Sequence, residues 1–263
     1  MDKRACVVCE TNRFAQHYSQ RDGQDYLRCD NCGLVYVDRL LNPEELYKAY
    51  CGSTFKTLRR KVTGPFRKFS WTRSFESSMS RARAILKFGI KQVVAECGRH
   101  KFLDIGCNKG FLLAVADELG WDVYGIELVS ELIRPFINSY PQYNTHIFSL
   151  RFEDVKQRLE SESFELITAI DVVEHFEDVY GDLRGIYKLL TPGGVFLIQT
   201  PDTGCQRAKR ENGDWGALKP LEHLHLFNCA NFTTLAKRAG FKSIDCYPAF
   251  EEADGNFVAV LRK

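Results

Sequence analysis

The stretch from Lys101 to Glu127 constrains the fold most. Lys101–Ile105 reads as a strand, Gly106–Gly110 as a glycine turn and Phe111–Leu119 as a helix closed by Gly120. Asp122–Ile126 then reads as a second strand that ends on an acid, Glu127. Two strands joined through a helix in so few residues pair in parallel, so the unit demands an open α/β sheet with helices on its faces. Glycines let the backbone approach a ligand closely. Glu127, twenty-one residues after Gly106, can accept two hydrogen bonds from a ribose diol. The turn is not Gly-x-Gly-x-x-Gly, so it does not spell a pyrophosphate cradle.

The 263 residues suit one domain of ordinary size with a small appendage, and 44% apolar residues suffice for a core. The first residues carry no apolar signal region, and no run approaches the roughly 18 apolar residues of a membrane span. The expectation is a soluble, cytoplasmic protein. Four of the ten cysteines are paired at short spacing, as Cys6-Val7-Val8-Cys9 and Cys29-Asp30-Asn31-Cys32. Two such knuckles can bring four thiolates around one structural Zn²⁺, with Gly33 permitting the turn beneath the metal. So short a segment buries too little apolar surface to fold alone, which gives the metal a physical purpose. A pair of redox dithiols is the competing reading. The other six (Cys51, Cys97, Cys107, Cys205, Cys229 and Cys246) are expected to be buried small apolar residues rather than a disulfide framework.

Net charge is +2, but Lys56 to Lys91 holds eleven Lys/Arg and one acid, Glu76. Asn42-Pro43-Glu44-Glu45 spells a helix start, running to about Tyr50. Gly64-Pro65 breaks the chain, and 77–92 shows helical spacing of Met79, Ala82, Ile85, Leu86 and Phe88. Basic residues interleave with Phe55, Phe66, Phe69, Trp71 and Phe75. A lid holding an anionic substrate, a nucleic-acid surface and a solvated face packing its aromatics on the main domain all fit this pattern. The boundaries expected are a zinc-ribbon module over 1–41, a basic helical connector or lid over 42–95 and a catalytic domain over 96–263.

Leu103-Asp104-Ile105-Gly106-Cys107 resembles the first motif of class I S-adenosylmethionine (SAM)-dependent methyltransferases. Later segments agree in order. Phe164–Ile170 with Asp171-Val172-Val173-Glu174-His175 resembles the family's fourth strand and its acidic ending. Leu189–Ile198, with Pro192-Gly193-Gly194, resembles the fifth strand and its turn, and Ala239-Gly240-Phe241 precedes a sixth strand near Ser243–Cys246. The double knuckle resembles the branch that includes sugar C-methyltransferases and enzymes of polysaccharide and natural-product biosynthesis. The resemblance implies a seven-stranded, mostly parallel Rossmann-like sheet whose last strand, Gly255–Arg262, is antiparallel. It implies SAM as cofactor, bound by Asp104, Gly106, Cys107, Gly110, Glu127, Leu128 and Asp171. Asn108 replaces the middle glycine of the family's turn and tolerates the positive φ required there. After the third strand, near Thr145–Leu150, Arg151 stands where an acid for the adenine amino group is common. Phe152 is then the candidate for packing on adenine and Glu153 for the hydrogen bond.

Methyl transfer needs an aligned acceptor and a group to take its proton. Glu222 and His223 are the preferred base candidates, with His175 assisting. An extended Glu222–Phe227 would set His223 and His225 on one side and Glu222 on the other. The sugar C-methyltransferases carry a tyrosine two residues before that Glu, where this chain has Pro220. The acceptor expected is small or carrier-bound and anionic: a sugar, nucleotide-sugar or lipid-linked glycan. The rivals are an RNA-modifying methyltransferase, marked by salt-dependent RNA binding, and a non-catalytic SAM-binding scaffold.

Overall fold

The computed structural model describes residues 4–11, 16–42, 45, 48, 52, 73–93, 100–249 and 255–263. The basic run 56–72, with its aromatics and the Gly64-Pro65 break, lies outside the described residues, as do Cys51 and Cys97. Among the described residues no helix is long and apolar enough to cross a membrane.

The larger part of the chain is built on a seven-stranded sheet. Its strands are β4 (Lys101–Ile105), β5 (Asp122–Ile126), β6 (Ile147–Phe148), β7 (Phe164–Ile170), β8 (Leu190–Pro201), β10 (Ser243–Pro248) and β11 (Asn256–Arg262), in the order β10-β11-β8-β7-β4-β5-β6. The strands from β8 to β6 pair in parallel, and β11 runs antiparallel to both β8 and β10. The period-two alternation of strand side chains divides the core. Phe102, Leu166, Leu197 and Val260 face one side, where α1 (Arg73–Ile90), α2 (Phe111–Glu118) and α3 (Ser130–Ser139) bury Met79, Ile85, Leu86, Leu113 and Phe136. Leu103, Ile167, Phe196 and Ile198 face the other, against Leu183, Ile186, Phe232 and Leu235 of α5 (Val179–Leu189) and α7 (Cys229–Ala239). Two more short helices are α4 (Phe152–Val155) and α6 (Gln206–Glu211). α7 opens with a reciprocal capping box between Asn228 and Asn231. Asn42 and Glu45 exchange the same pair of bonds, which bears out a helix start there.

The N-terminal module forms β1 (Gln16–Arg21), β2 (Gln24–Arg28) and β3 (Val35–Val37), turning at Asp22-Gly23. Its sheet is completed by a strand from far along the chain, β9 (His225–Leu226), with Val35 opposite Leu226 and Tyr36 opposite His225. The buried Cys6, Val8, Leu27, Leu34 and Tyr36 belong to the same core as α5 and α7. Arg238 of α7 donates to the carbonyls of Val7 and Val8. The module is therefore packed against the seven-stranded sheet and its helices.

Two expectations are corrected. Cys229 and Cys246 are bonded as a disulfide, because the packing of α7 on β10 brings their Cα atoms to 6.3 Å. Glu222–Leu224 is not extended. The N–H groups of Glu222 and His223 both donate to the Lys219 carbonyl, and Leu224 N–H donates to the Glu174 carbonyl. The segment straightens only where β3 recruits His225, so His223 and His225 part company.

Candidate active site

A cleft opens at the carboxyl ends of β4, β5 and β7, where open α/β sheets bind ligands. Gly106 forms its floor. Its φ of +75° is a left-handed value, and a Cβ there would lie 2.4 Å from Val172 Cγ2, so only glycine fits. Asn108 follows with φ +49°, as its substitution for glycine implied. Glu127 is 2% exposed at the end of β5. Its Oε2 accepts the Asn108 N–H and its Oε1 the Val129 N–H, both at 2.9 Å. Burial pushes its carboxyl up, and the Val129 and Asn108 amides pull it back. Each oxygen keeps a second lone-pair direction for a ligand hydroxyl. Leu128, Leu150, Phe152 and Glu153 line the adjoining wall.

Arg151, at the same wall, faces Glu153, Asp154 and Glu177, with its Nη1 donating to Glu177 at 3.0 Å. Burial alone would lower its guanidinium, but Glu153, Asp154 and Glu177 outweigh that and hold it above its ordinary value. Sequence reading passed over Val172, Phe176, Glu177, Leu221 and Leu224 as cleft-lining residues. Phe176 and Glu177 directly continue the Asp171–His175 motif, and that adjacency was the available signal.

The other end of the cleft carries His175 and Glu222. His175 Nδ1 and the Glu222 carbonyl lie at 2.6 Å, and His223 Nδ1 meets the Ala217 carbonyl at 2.7 Å. Each carbonyl can only accept, so both rings carry the proton on Nδ1 and the lone pair on Nε2. The rings meet edge to face at 5.0 Å. His223 sits behind His175, 9% exposed, and is not part of the cleft lining. Burial, then the neighbouring His175, pushes its imidazole down to about 3, and burial also lowers His175. Glu174, 1% exposed, accepts the Thr200 hydroxyl at 2.8 Å, and burial, then the Asp171 charge, raises it to about 8. Fully buried His225 takes a hydrogen bond from Arg4 at Nε2 and packs on Phe227, away from the cleft.

Four residues expected at the cofactor lie off the cleft lining. Cys107 is buried against Gly125, and Gly110 packs under Phe136. Asp171, with φ +58°, faces Gln199, Asn256 and Arg81. Asp104 is buried beneath the turn and accepts the Thr168 hydroxyl at 2.6 Å. Burial foremost, with the Glu127 charge behind it, raises Asp104 to about 7 against the pull of Thr168. A raised carboxyl binds a proton in the native state that the unfolded chain releases. Its stabilisation is therefore present at low pH and is lost as pH rises from about 4 through about 7. Asp104→Asn should remove this dependence: the melting-temperature difference, variant minus wild type, should grow between pH 4 and pH 8. Parallel curves would exclude an elevated Asp104.

In the module, one sulfur from each of Cys6, Cys9, Cys29 and Cys32 lies within 4.8 Å of the others. Cys6–Cys32 and Cys9–Cys29 are each 3.5 Å apart, far beyond a disulfide bond of about 2.05 Å. Zinc–sulfur bonds of about 2.3 Å give a tetrahedron with edges of about 3.8 Å, so the cluster has the size of a metal centre. The two knuckles turn alike. Glu10 N–H returns to the Cys6 carbonyl and Gly33 N–H to the Cys29 carbonyl, with positive φ at both Glu10 and Gly33.

Comparison with known proteins places this geometry. A family model described as "Methyltransferase domain" matches residues 70–245. A probable S-adenosylmethionine-dependent methyltransferase of Mycolicibacterium smegmatis is 24% identical over 163 residues, 62% of this chain and 60% of that protein. A ubiquinone biosynthesis O-methyltransferase of Psychrobacter arcticus is 30% identical over 115 residues, 41% of this chain and 44% of that protein. The chain thus spans about half the length of these curated relatives. Among solved structures, a 1,6-didemethyltoxoflavin-N1-methyltransferase of Burkholderia thailandensis, with bound 1,6-didemethyltoxoflavin and S-adenosylhomocysteine, shares the fold. Its TM-score is 0.57 at 19% identity, covering 95% of this chain and 99% of that one. A SAM-dependent methyltransferase of Archaeoglobus fulgidus superposes with a TM-score of 0.54 at 13% identity, covering 70% and 94%.

Proposed function

The chain belongs to the methyltransferase-domain family, and from that premise we propose that it transfers a methyl group from SAM to a small or carrier-bound acceptor. The observation that carries this reading is the preorganised Glu127 carboxylate over Gly106. It offers two acceptors to a ribose diol, and Phe152 lines the same cleft as an apolar face for adenine. SAM supplies a sulfonium methyl for in-line displacement when bound. Calorimetry tests the assignment. Glu127→Ala should weaken SAM binding by at least about 1.5 kcal/mol, roughly tenfold, through loss of charge-assisted hydrogen bonds. Unchanged affinity would exclude the role.

At the opposite end we take Glu222 as the group that accepts the acceptor's proton. It lines the cleft, whereas His223 is buried and held neutral by its surroundings. His175 fixes the Glu222 backbone through its Nδ1, and His223 supports His175 from behind. The four-cysteine cluster is read as a structural Zn²⁺ site within a module over 1–41, followed by the connector over 42–95 and the catalytic domain over 96–263. Its closed sulfur set leaves no position for a substrate. The sequence resemblance favours a sugar, nucleotide-sugar or lipid-linked glycan as acceptor, and the basic run favours one that is anionic. Arg81 and Arg83 face Asp171 and Glu118 of the domain itself, so anion recognition is assigned to the other basic residues of the Lys56–Lys91 run.

A further inference from the structure

We propose that Glu174, His175 and His223 form a second, catalytic-type site for a divalent transition metal ion, at which an oxygen of the acceptor binds. One donor atom from each of the three lies within 4.8 Å of the others. In a tetrahedral site with metal–ligand bonds of about 2.0–2.2 Å the donors lie roughly 3.3–3.6 Å apart, so closing around an ion takes side-chain shifts of up to about an ångström. Two imidazoles and one carboxylate are the ligand set that holds zinc with a position left open for water or substrate.

The surroundings have the form that such a site requires. A ligating imidazole generally donates its other N–H to a carbonyl or carboxylate, which fixes the tautomer and aims the lone pair. His175 does this to the Glu222 carbonyl at 2.6 Å and His223 to the Ala217 carbonyl at 2.7 Å. Glu174 is held by the Thr200 hydroxyl at 2.8 Å. Two reciprocal bonds, Leu224 N–H to the Glu174 carbonyl and His175 to the Glu222 carbonyl, clamp the segment bearing His223 onto the turn bearing the other two ligands. The module adds a third tie, since the Tyr26 hydroxyl donates to the His223 carbonyl at 2.6 Å. All three side chains are thus held by hydrogen bonds before an ion arrives, and His175 opens onto the cleft.

This inference rests on the methyltransferase reading and narrows the acceptor to one presenting a hydroxyl to the ion. The ion lowers the pKa of that hydroxyl. The O–H bond then breaks with its proton passing to the Glu222 carboxylate. As the oxygen forms its bond to the methyl carbon, the S–CH₃ bond breaks and its electron pair returns to sulfur. The sulfonium becomes a thioether.

The test is metal stoichiometry and Co²⁺ spectroscopy on the full chain. Wild type should bind two equivalents. One should give thiolate-to-cobalt charge transfer in the near ultraviolet, and the other only weak visible bands. His175→Ala and His223→Ala should each lose the second equivalent and keep the first, whose charge-transfer band doubles as a check of folding. Should either variant fail to fold, Glu174→Gln, which preserves the side-chain shape, should weaken the second equivalent at least tenfold. A wild type that binds one equivalent, seen only through thiolate bands, would overturn the proposal. So would a second equivalent that survives all three substitutions. SAM calorimetry on the same samples separates the two readings: failure of the metal site leaves SAM binding intact, whereas loss of SAM binding in wild type removes the methyltransferase reading itself.

Discussion

Glu222→Gln should lower kcat by roughly 10²–10⁴, the range for removing one general base, with the SAM dissociation constant unchanged. The substitution keeps the backbone carbonyl that receives His175 and nearly all of the side-chain volume, so the imidazole pair should stay in place. Lys219 Nζ, 3.9 Å from the carboxylate, is exposed, and losing so loose a pair costs little stability. Activity is read as transfer of labelled methyl from SAM into the small-molecule fraction of a cell extract, alongside a thermal melt. Full turnover in a folded variant would mean that the proton leaves by a route other than Glu222.

The second large effect is expected from the cysteine cluster. Zinc binding is worth about 10–16 kcal/mol in isolated zinc-finger peptides, more than a module this small can gain from its own core. Replacing Cys9 and Cys32 together by Ser should therefore abolish the metal and melt β1–β3. The consequence reaches the catalytic end through β9. Val37 N–H bonds the Leu224 carbonyl, Tyr26 the His223 carbonyl, and Tyr36 pairs with His225. Hydrogen exchange should lose protection over 24–37 and 221–227 together, and methyl transfer should fall at least tenfold. Gly106, Glu127 and Leu128 are held by β4 and β5, which share no sheet with the module, so SAM affinity should stay within about threefold. Full activity in a double variant that has lost the four-cysteine metal would show that the module does not position the acceptor end.

The parts legible in the sequence are those where one local pattern decides the outcome. The turn at Gly106, the acid ending β5 and the helix over Met79–Phe88 follow from periodicity and glycine placement, whereas the antiparallel last strand was implied by the family resemblance. The convergence of the four cysteines was legible because the Cys-x-x-Cys spacing is local. What stayed hidden depends on long-range pairing. Nothing around His225 announces that it will pair with Tyr36, and without that pairing an extended Glu222–Phe227 is the natural reading. The disulfide of Cys229 with Cys246 likewise needs α7 laid on β10. Asp104 and Gly110 carry the expected motif yet serve the turn from beneath: Asp104 through Thr168, Gly110 by admitting Phe136.

The cleft over Gly106 is read as the SAM site, with the ribose on Glu127. A crystal structure of the chain with S-adenosylhomocysteine tests it most directly. The prediction is both ribose hydroxyls within about 3 Å of the Glu127 carboxylate, adenine against Phe152, and the sulfur directed toward His175 and Glu222. A nucleoside bound elsewhere, or a cleft left empty at saturating ligand while Glu127 keeps only its two backbone partners, would contradict it.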